Sequence, residues 1–120
     1  MRYMVLLKAP QATTPPPPEL MEAIMKLGEE ATKAGALLDT AGLYPSAAGA
    51  KVALAGGQLS VTDGPFAEAK EMISYALYQV RSKDEAVEWT SRFIKLHRDH
   101  WAGWEGEAEI LQVFGTDDHA

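Results

Sequence analysis

Residues 61–75 read VTDGPFAEAKEMISY, a stretch that ends one strand, turns sharply and starts another. Asp63-Gly64-Pro65-Phe66 places an acid, a permissive glycine, a rigid proline and an aromatic in succession. Gly64 precedes a proline and is therefore pushed out of the helical region, so the chain stays extended or turns there. Pro65 has no N–H, which denies Asp63 the usual side-chain bond to the backbone two residues on. Its carboxylate must find the N–H of Phe66 or Ala67, or point elsewhere. Beyond the bend, Glu68 and Lys70 are two apart and share a face if the segment is extended. A constrained acid-bearing turn followed by alternating charges is the candidate site.

Upstream of the bend, Lys51–Ala55 and Gln58–Thr62 flank Gly56-Gly57. Two short alternating runs around a Gly-Gly pair predict a β-hairpin. Its apolar residues are few and small, so the hairpin reads as an arm rather than as core, delivering the chain into Asp63. Downstream, Met72–Val80 predicts a strand, and Ser82-Lys83-Asp84-Glu85 is a capping box opening a helix that runs to about His100. Ala86, Val87, Thr90, Phe93, Ile94 and His97 form its inner stripe. A last strand, Ala108–Phe114, precedes an acidic tail at 116–120 that has nothing to pack with.

The N-terminal part repeats the pattern. Tyr3–Leu7 is a continuous apolar run and reads as a strand buried on both faces. The loop Ala9–Pro18 closes on four prolines, a stiff connector into a helix over Glu19–Ala34. That helix carries Leu20, Ile24, Leu27 and Ala31 on one face, and Gly35 is placed to end it in the left-handed conformation. Gly28 in its middle costs about 1 kcal/mol against alanine, a sign of close approach to the sheet. Ala36–Leu43 is the next strand, ended by Tyr44-Pro45-Ser46.

The order is therefore β-α-β, an inserted hairpin, then β-α-β, within one domain at 1–115. This is an α+β chain with the split β-α-β, ferredoxin-like pattern, an antiparallel sheet covered by two helices on one face. Met4, Leu6, Tyr75, Leu77 and Val113 fall on the other face. An uncovered apolar sheet face is a partner-binding surface, so a homodimer is expected.

Composition bounds the function. At 120 residues the chain fits a single domain. A net charge of −6 without a basic block disfavours nucleic acid. The absence of cysteine excludes disulfides, thiolate metal sites and thiol chemistry. No apolar run approaches the ~20 residues of a membrane span, and Arg2 is followed by only a short apolar stretch, so cytoplasmic residence is the expectation. No nucleophile elbow, P-loop, dinucleotide fingerprint or HExxH motif is present, and no cofactor is implied.

The chemistry then falls to a few side chains. Asp63 is the candidate general base or acceptor and Lys70 the charge-stabilising group, with Glu68 as a charged helper. Gly64, Pro65 and Phe66 shape the site, Phe66 as a wall, while Tyr75 offers a phenol to a polar ligand. His97 and His100, three apart on one helix, lack a visible set of further ligands and read as helix-end histidines favoured by the C-terminal dipole.

The stretches MRYMVLLKA, AGALLDTAGLYPS, VTDGPFAEAKE, YALYQVRSKDEAVEW and EAEILQVF resemble, in this order, the YCII-related proteins. DGPFAEAKE is similar to the signature of their longer DGPF-domain branch. The resemblance implies a ferredoxin-like domain that pairs into a dimeric α+β barrel and binds a small molecule in a dimer-associated pocket. It further implies either acid–base chemistry of a lyase or isomerase type or a non-catalytic accessory role beside an extracytoplasmic-function sigma factor. Three departures stand out. The histidine of the His–Asp pair of shorter relatives has no counterpart near Met21-Glu22-Ala23. Ser74 replaces a glycine common in relatives, and Leu111 an arginine.

Overall fold

The computed structural model describes residues 1–67 and 69–115. The elements follow in the order β1 (Arg2–Ala9), α1 (Pro18–Lys33), β2 (Leu37–Gly42), β3 (Ala50–Ala55), β4 (Gln58–Asp63), β5 (Glu71–Gln79), α2 (Lys83–His100) and β6 (Glu107–Gln112). A short 3-10 turn, Ser46–Ala48, lies between β2 and β3. The main sheet has the order β2-β5-β1-β6, antiparallel throughout, and β3-β4 form a separate two-stranded ribbon. The strand order, with two helices, is compatible with the ferredoxin-like reading.

Sequence explains the helix ends. Pro18 opens α1 at its first helical position, where a missing N–H costs nothing. Gly35 takes a φ of 75°, and the Ala36 and Gly35 amides donate to the Ala31 and Thr32 carbonyls at 2.9 and 3.0 Å. Both orphan carbonyls are satisfied this way, which fixes the return into β2. At α2, the Glu85 amide donates to Ser82 Oγ at 3.2 Å. The Glu85 carboxylate reaches back one residue further than a capping box requires, to the Arg81 amide at 3.0 Å.

Burial along β1 alternates, with Tyr3, Val5, Leu7 and Ala9 buried and Met4, Leu6 and Lys8 partly exposed. The expectation of a strand buried on both faces is therefore corrected. The two helices cover one face, and nothing among the described residues covers the other. The core comprises Tyr3, Val5, Ala31, Ala36, Tyr78, Val80 and Ala86, with Trp89, Ala108 and Ile110 packed against it. Across the helices, Arg92 holds Glu30 in a two-pronged pair at 2.6 and 2.9 Å. Met4 pairs with Leu77 and Leu111, and Leu6 with Tyr75, so these side chains share the uncovered face. No helix among the described residues is long and apolar enough to cross a membrane.

Candidate functional site

The bend after β4 is held by a serine some way upstream in sequence, itself held by a glutamate just downstream of the bend. Ser46 donates its amide to Glu71 Oε2 at 3.0 Å and its hydroxyl to Glu71 Oε1 at 2.8 Å. The same Oγ accepts from the amides of Phe66 at 3.2 Å and Ala67 at 3.4 Å. One hydroxyl thus donates once and accepts twice, the full capacity of its oxygen. The Gly64 amide donates to the Gly49 carbonyl at 2.9 Å, stitching the bend to the 3-10 turn from the other side. Gly64 is obligatory for a steric reason: a Cβ there would lie 1.6 Å from the Ser46 carbonyl oxygen. The Gly64–Pro65 peptide is cis.

Of the two outcomes the sequence leaves open for the Asp63 carboxylate, the structure takes the second. The amides of Phe66 and Ala67 are taken by Ser46 Oγ, not by Asp63. Asp63 ends β4 opposite Ala50 and is exposed to solvent. Glu68 lies outside the described residues, as does the tail at 116–120.

Beside the bend is an open hollow of about 470 Å³, walled by Lys8, Tyr44, Ser46, Phe66, Lys70 and Glu71 among others. Its lining is largely apolar, and Tyr44 at its edge is 89% exposed. β1 supplies Lys8, the β2–β3 connection supplies Tyr44 and Ser46, and the bend supplies Phe66 and Lys70. Lys8 pairs with Glu109 at 3.4 Å and Lys70 with Glu107, so both ammonium groups are tethered to β6. The hydrogen bond from Lys70 holds the Glu107 carboxyl below the usual carboxylate range. Lys51, at the root of the ribbon, stands 5.7 Å over the Phe66 ring.

Of the residues singled out from the sequence, the structure brings Phe66 and Lys70 to the hollow, with Gly64 and Pro65 forming the bend that presents them. Tyr75 lies apart, in β5 on the uncovered sheet face, where its hydroxyl donates to Asp39 Oδ2 at 2.9 Å. That bond, with lesser contributions from desolvation and the Asp39 charge, pushes the phenol up. His97 is buried, its Nδ1–H donating to the Phe93 carbonyl at 3.0 Å and its ring packed 4.3 Å from Trp104, while His100 is exposed. The two do not converge, and no group of three or more candidate metal ligands occurs among the described residues.

Ser46, Glu71 and Lys8 are the residues sequence reasoning missed. The signal for Ser46 was its place after Tyr44-Pro45. Nothing local announces a partner 25 residues away.

A model of the YCII-related domain matches residues 1–102. The chain belongs to the YCII-related domain family. No curated protein matches the chain. The YCII-related span contains every residue named above as walling the hollow, and it ends before β6. The two carboxylates that tether Lys8 and Lys70 therefore belong to the part of the chain beyond the family match.

Proposed function

We propose that this YCII-related domain binds a small organic anion in the hollow beside the DGPF bend, in a homodimer whose second copy covers the exposed sheet face. The observation that carries the reading is the pairing of an apolar recess of about 470 Å³ with two lysines at its wall. That volume lies within the ordinary range for small-ligand sites. Phe66, Tyr44 and Met72 offer surface to an apolar body, and Lys8 and Lys70 offer charge to a carboxylate or an enolate. Glu107 and Glu109 already hold these ammonium groups in exposed pairs, so an anionic ligand draws the lysines from them in competition.

A lyase or isomerase step is the catalytic extension of this reading. Lys70 would stabilise developing negative charge at the ligand, and Asp63 would act as base from the root of the ribbon. Asp63 is solvated in a single chain, so its use as a base requires closure by another surface. Binding is therefore the primary claim and turnover the secondary one.

Native mass spectrometry of gently purified protein tests the binding claim. A retained molecule of a few hundred daltons is expected, lost in Lys8→Met/Lys70→Met while the fold persists by circular dichroism. A wild-type protein that carries nothing and takes up no small carboxylate would overturn it.

A further inference from the structure

The β3-β4 ribbon is amphipathic and has nothing among the described residues to lie on. Its register pairs Val52 with Val61 and Leu54 with Leu59, so these four side chains share one face. Lys51, Ala53, Gln58, Ser60 and Thr62 occupy the other. The four aliphatic side chains are between 63 and 73% exposed. An isolated two-stranded hairpin is marginal in water and needs a third strand or a packing surface. Gly56 and Gly57, with φ of 56° and 76°, supply the turn that such a ribbon prefers. Turn chemistry alone does not offset four exposed aliphatics.

Size says how much cover is wanted. A compact 120-residue chain has a radius of gyration of about 13.6 Å, whereas this one measures 16.2 Å. A compact monomer of this mass exposes about 6,300 Å², and this chain exposes 8335 Å². The excess of about 2,000 Å² is more than the ~800 Å² that each partner gives to a standard interface, and falls in the range of obligate homodimers. The chain also carries exposed apolar surface able to receive an arm, at Leu111 and Phe114.

We infer that the ribbon is a clasp: the Val52–Leu54–Leu59–Val61 face of one copy packs on the body of a second copy of the same chain. Asp63, paired with Ala50, stands on that same face at its root. The clasp therefore draws Asp63 out of solvent, while Lys51, on the ribbon's other face, stays over the Phe66 ring at the wall of the hollow. The inference rests on the homodimer reading above and adds the element that holds the two copies together.

Sedimentation equilibrium separates the two readings. The wild type is expected to be dimeric, and Leu54→Lys/Leu59→Lys to raise the dimer dissociation constant at least about a hundredfold, the effect of losing two buried leucines. These leucines touch little in the single chain, so the variant monomer should keep its circular dichroism. In the wild type, amide exchange of Ala53 and Ser60 should slow as protein concentration rises through the dissociation constant. A dimer with unchanged affinity in the double variant, or ribbon exchange independent of concentration, would overturn the clasp and leave the homodimer standing. A wild type monomeric at every concentration would overturn both.

Discussion

Ser46 and Glu71 lie 25 residues apart and are joined twice, the serine amide and hydroxyl both donating to the two oxygens of the one carboxylate. Through Ser46 Oγ the same pair reaches the amides of Phe66 and Ala67. The wall of the hollow and the bend that presents it are therefore one hydrogen-bonded unit. Its shape depends on an acid and a hydroxyl whose hydrogen bonds do not involve Asp63.

Ser46→Ala removes the hub: Glu71 Oε1 and the amides of Phe66 and Ala67 lose their partner, while the backbone amide at 46 still donates to Glu71 Oε2. The expected loss is about 1–2 kcal/mol, read as a fall in melting temperature of roughly 5 °C. Hydrogen exchange should quicken at Phe66 and Ala67 while α1 and α2 stay protected.

Two glycines give opposite results on substitution. At Gly64 an added methyl meets the Ser46 carbonyl oxygen at 1.6 Å, so Gly64→Ala forces the bend away from the 3-10 turn. The expected cost exceeds about 2 kcal/mol. At Gly28 nothing lies within 4 Å of an added Cβ, so the close approach read from the sequence is absent at that position. Gly28→Ala is expected to stabilise by about 0.5–1 kcal/mol. Urea titrations of both variants check the sign.

His97 makes stability depend on pH. Burial pushes its pKa down, opposed by the smaller effect of the Phe93 carbonyl bond. The unfolded chain thus binds the proton more readily than the folded one. Stability is full above about pH 6.5, the ordinary histidine value, and is lost as pH falls from there through the lower folded value. Urea midpoints should decline between pH 7 and pH 5.5, and His97→Gln should flatten that decline.

Glu107 and Glu109 compete with an anionic ligand for the lysines. Glu107→Gln frees Lys70 and is expected to raise affinity for small carboxylates by no more than about fivefold, since a solvent-exposed pair holds the lysine only weakly. The gain should shrink in high salt. Titration calorimetry at two salt concentrations reads both effects.

Local chemistry made most of the fold legible. Periodicity placed both helices, Gly35 and Ser82 marked a terminus of each, and Gly56-Gly57 marked the ribbon, because each signal acts over a few residues. The exposed face carrying Met4, Leu6, Tyr75 and Leu77 also followed from alternation. What stayed hidden was long-range. The Ser46–Glu71 pair, the tethers from Lys8 and Lys70 to β6 and the bond from Tyr75 to Asp39 all join segments far apart in the chain. The order of residues does not reveal which of several carboxylates a hydroxyl will find. Hence the sequence leaves open whether Asp63, the acid nearest the bend, takes the amides of Phe66 and Ala67, and only the fold shows that Ser46 does.

The central claim is that the hollow beside the bend binds a small organic anion. The most direct measurement is a ¹⁵N–¹H shift titration of the whole chain with a panel of small carboxylates, benzoate among them. Saturable shifts are predicted at the amides of Lys8, Ser46, Phe66, Ala67, Lys70 and Glu71, and their loss in Lys8→Met/Lys70→Met. No saturable shift at these amides with any member of the panel, or saturation confined to another part of the fold, would contradict the account.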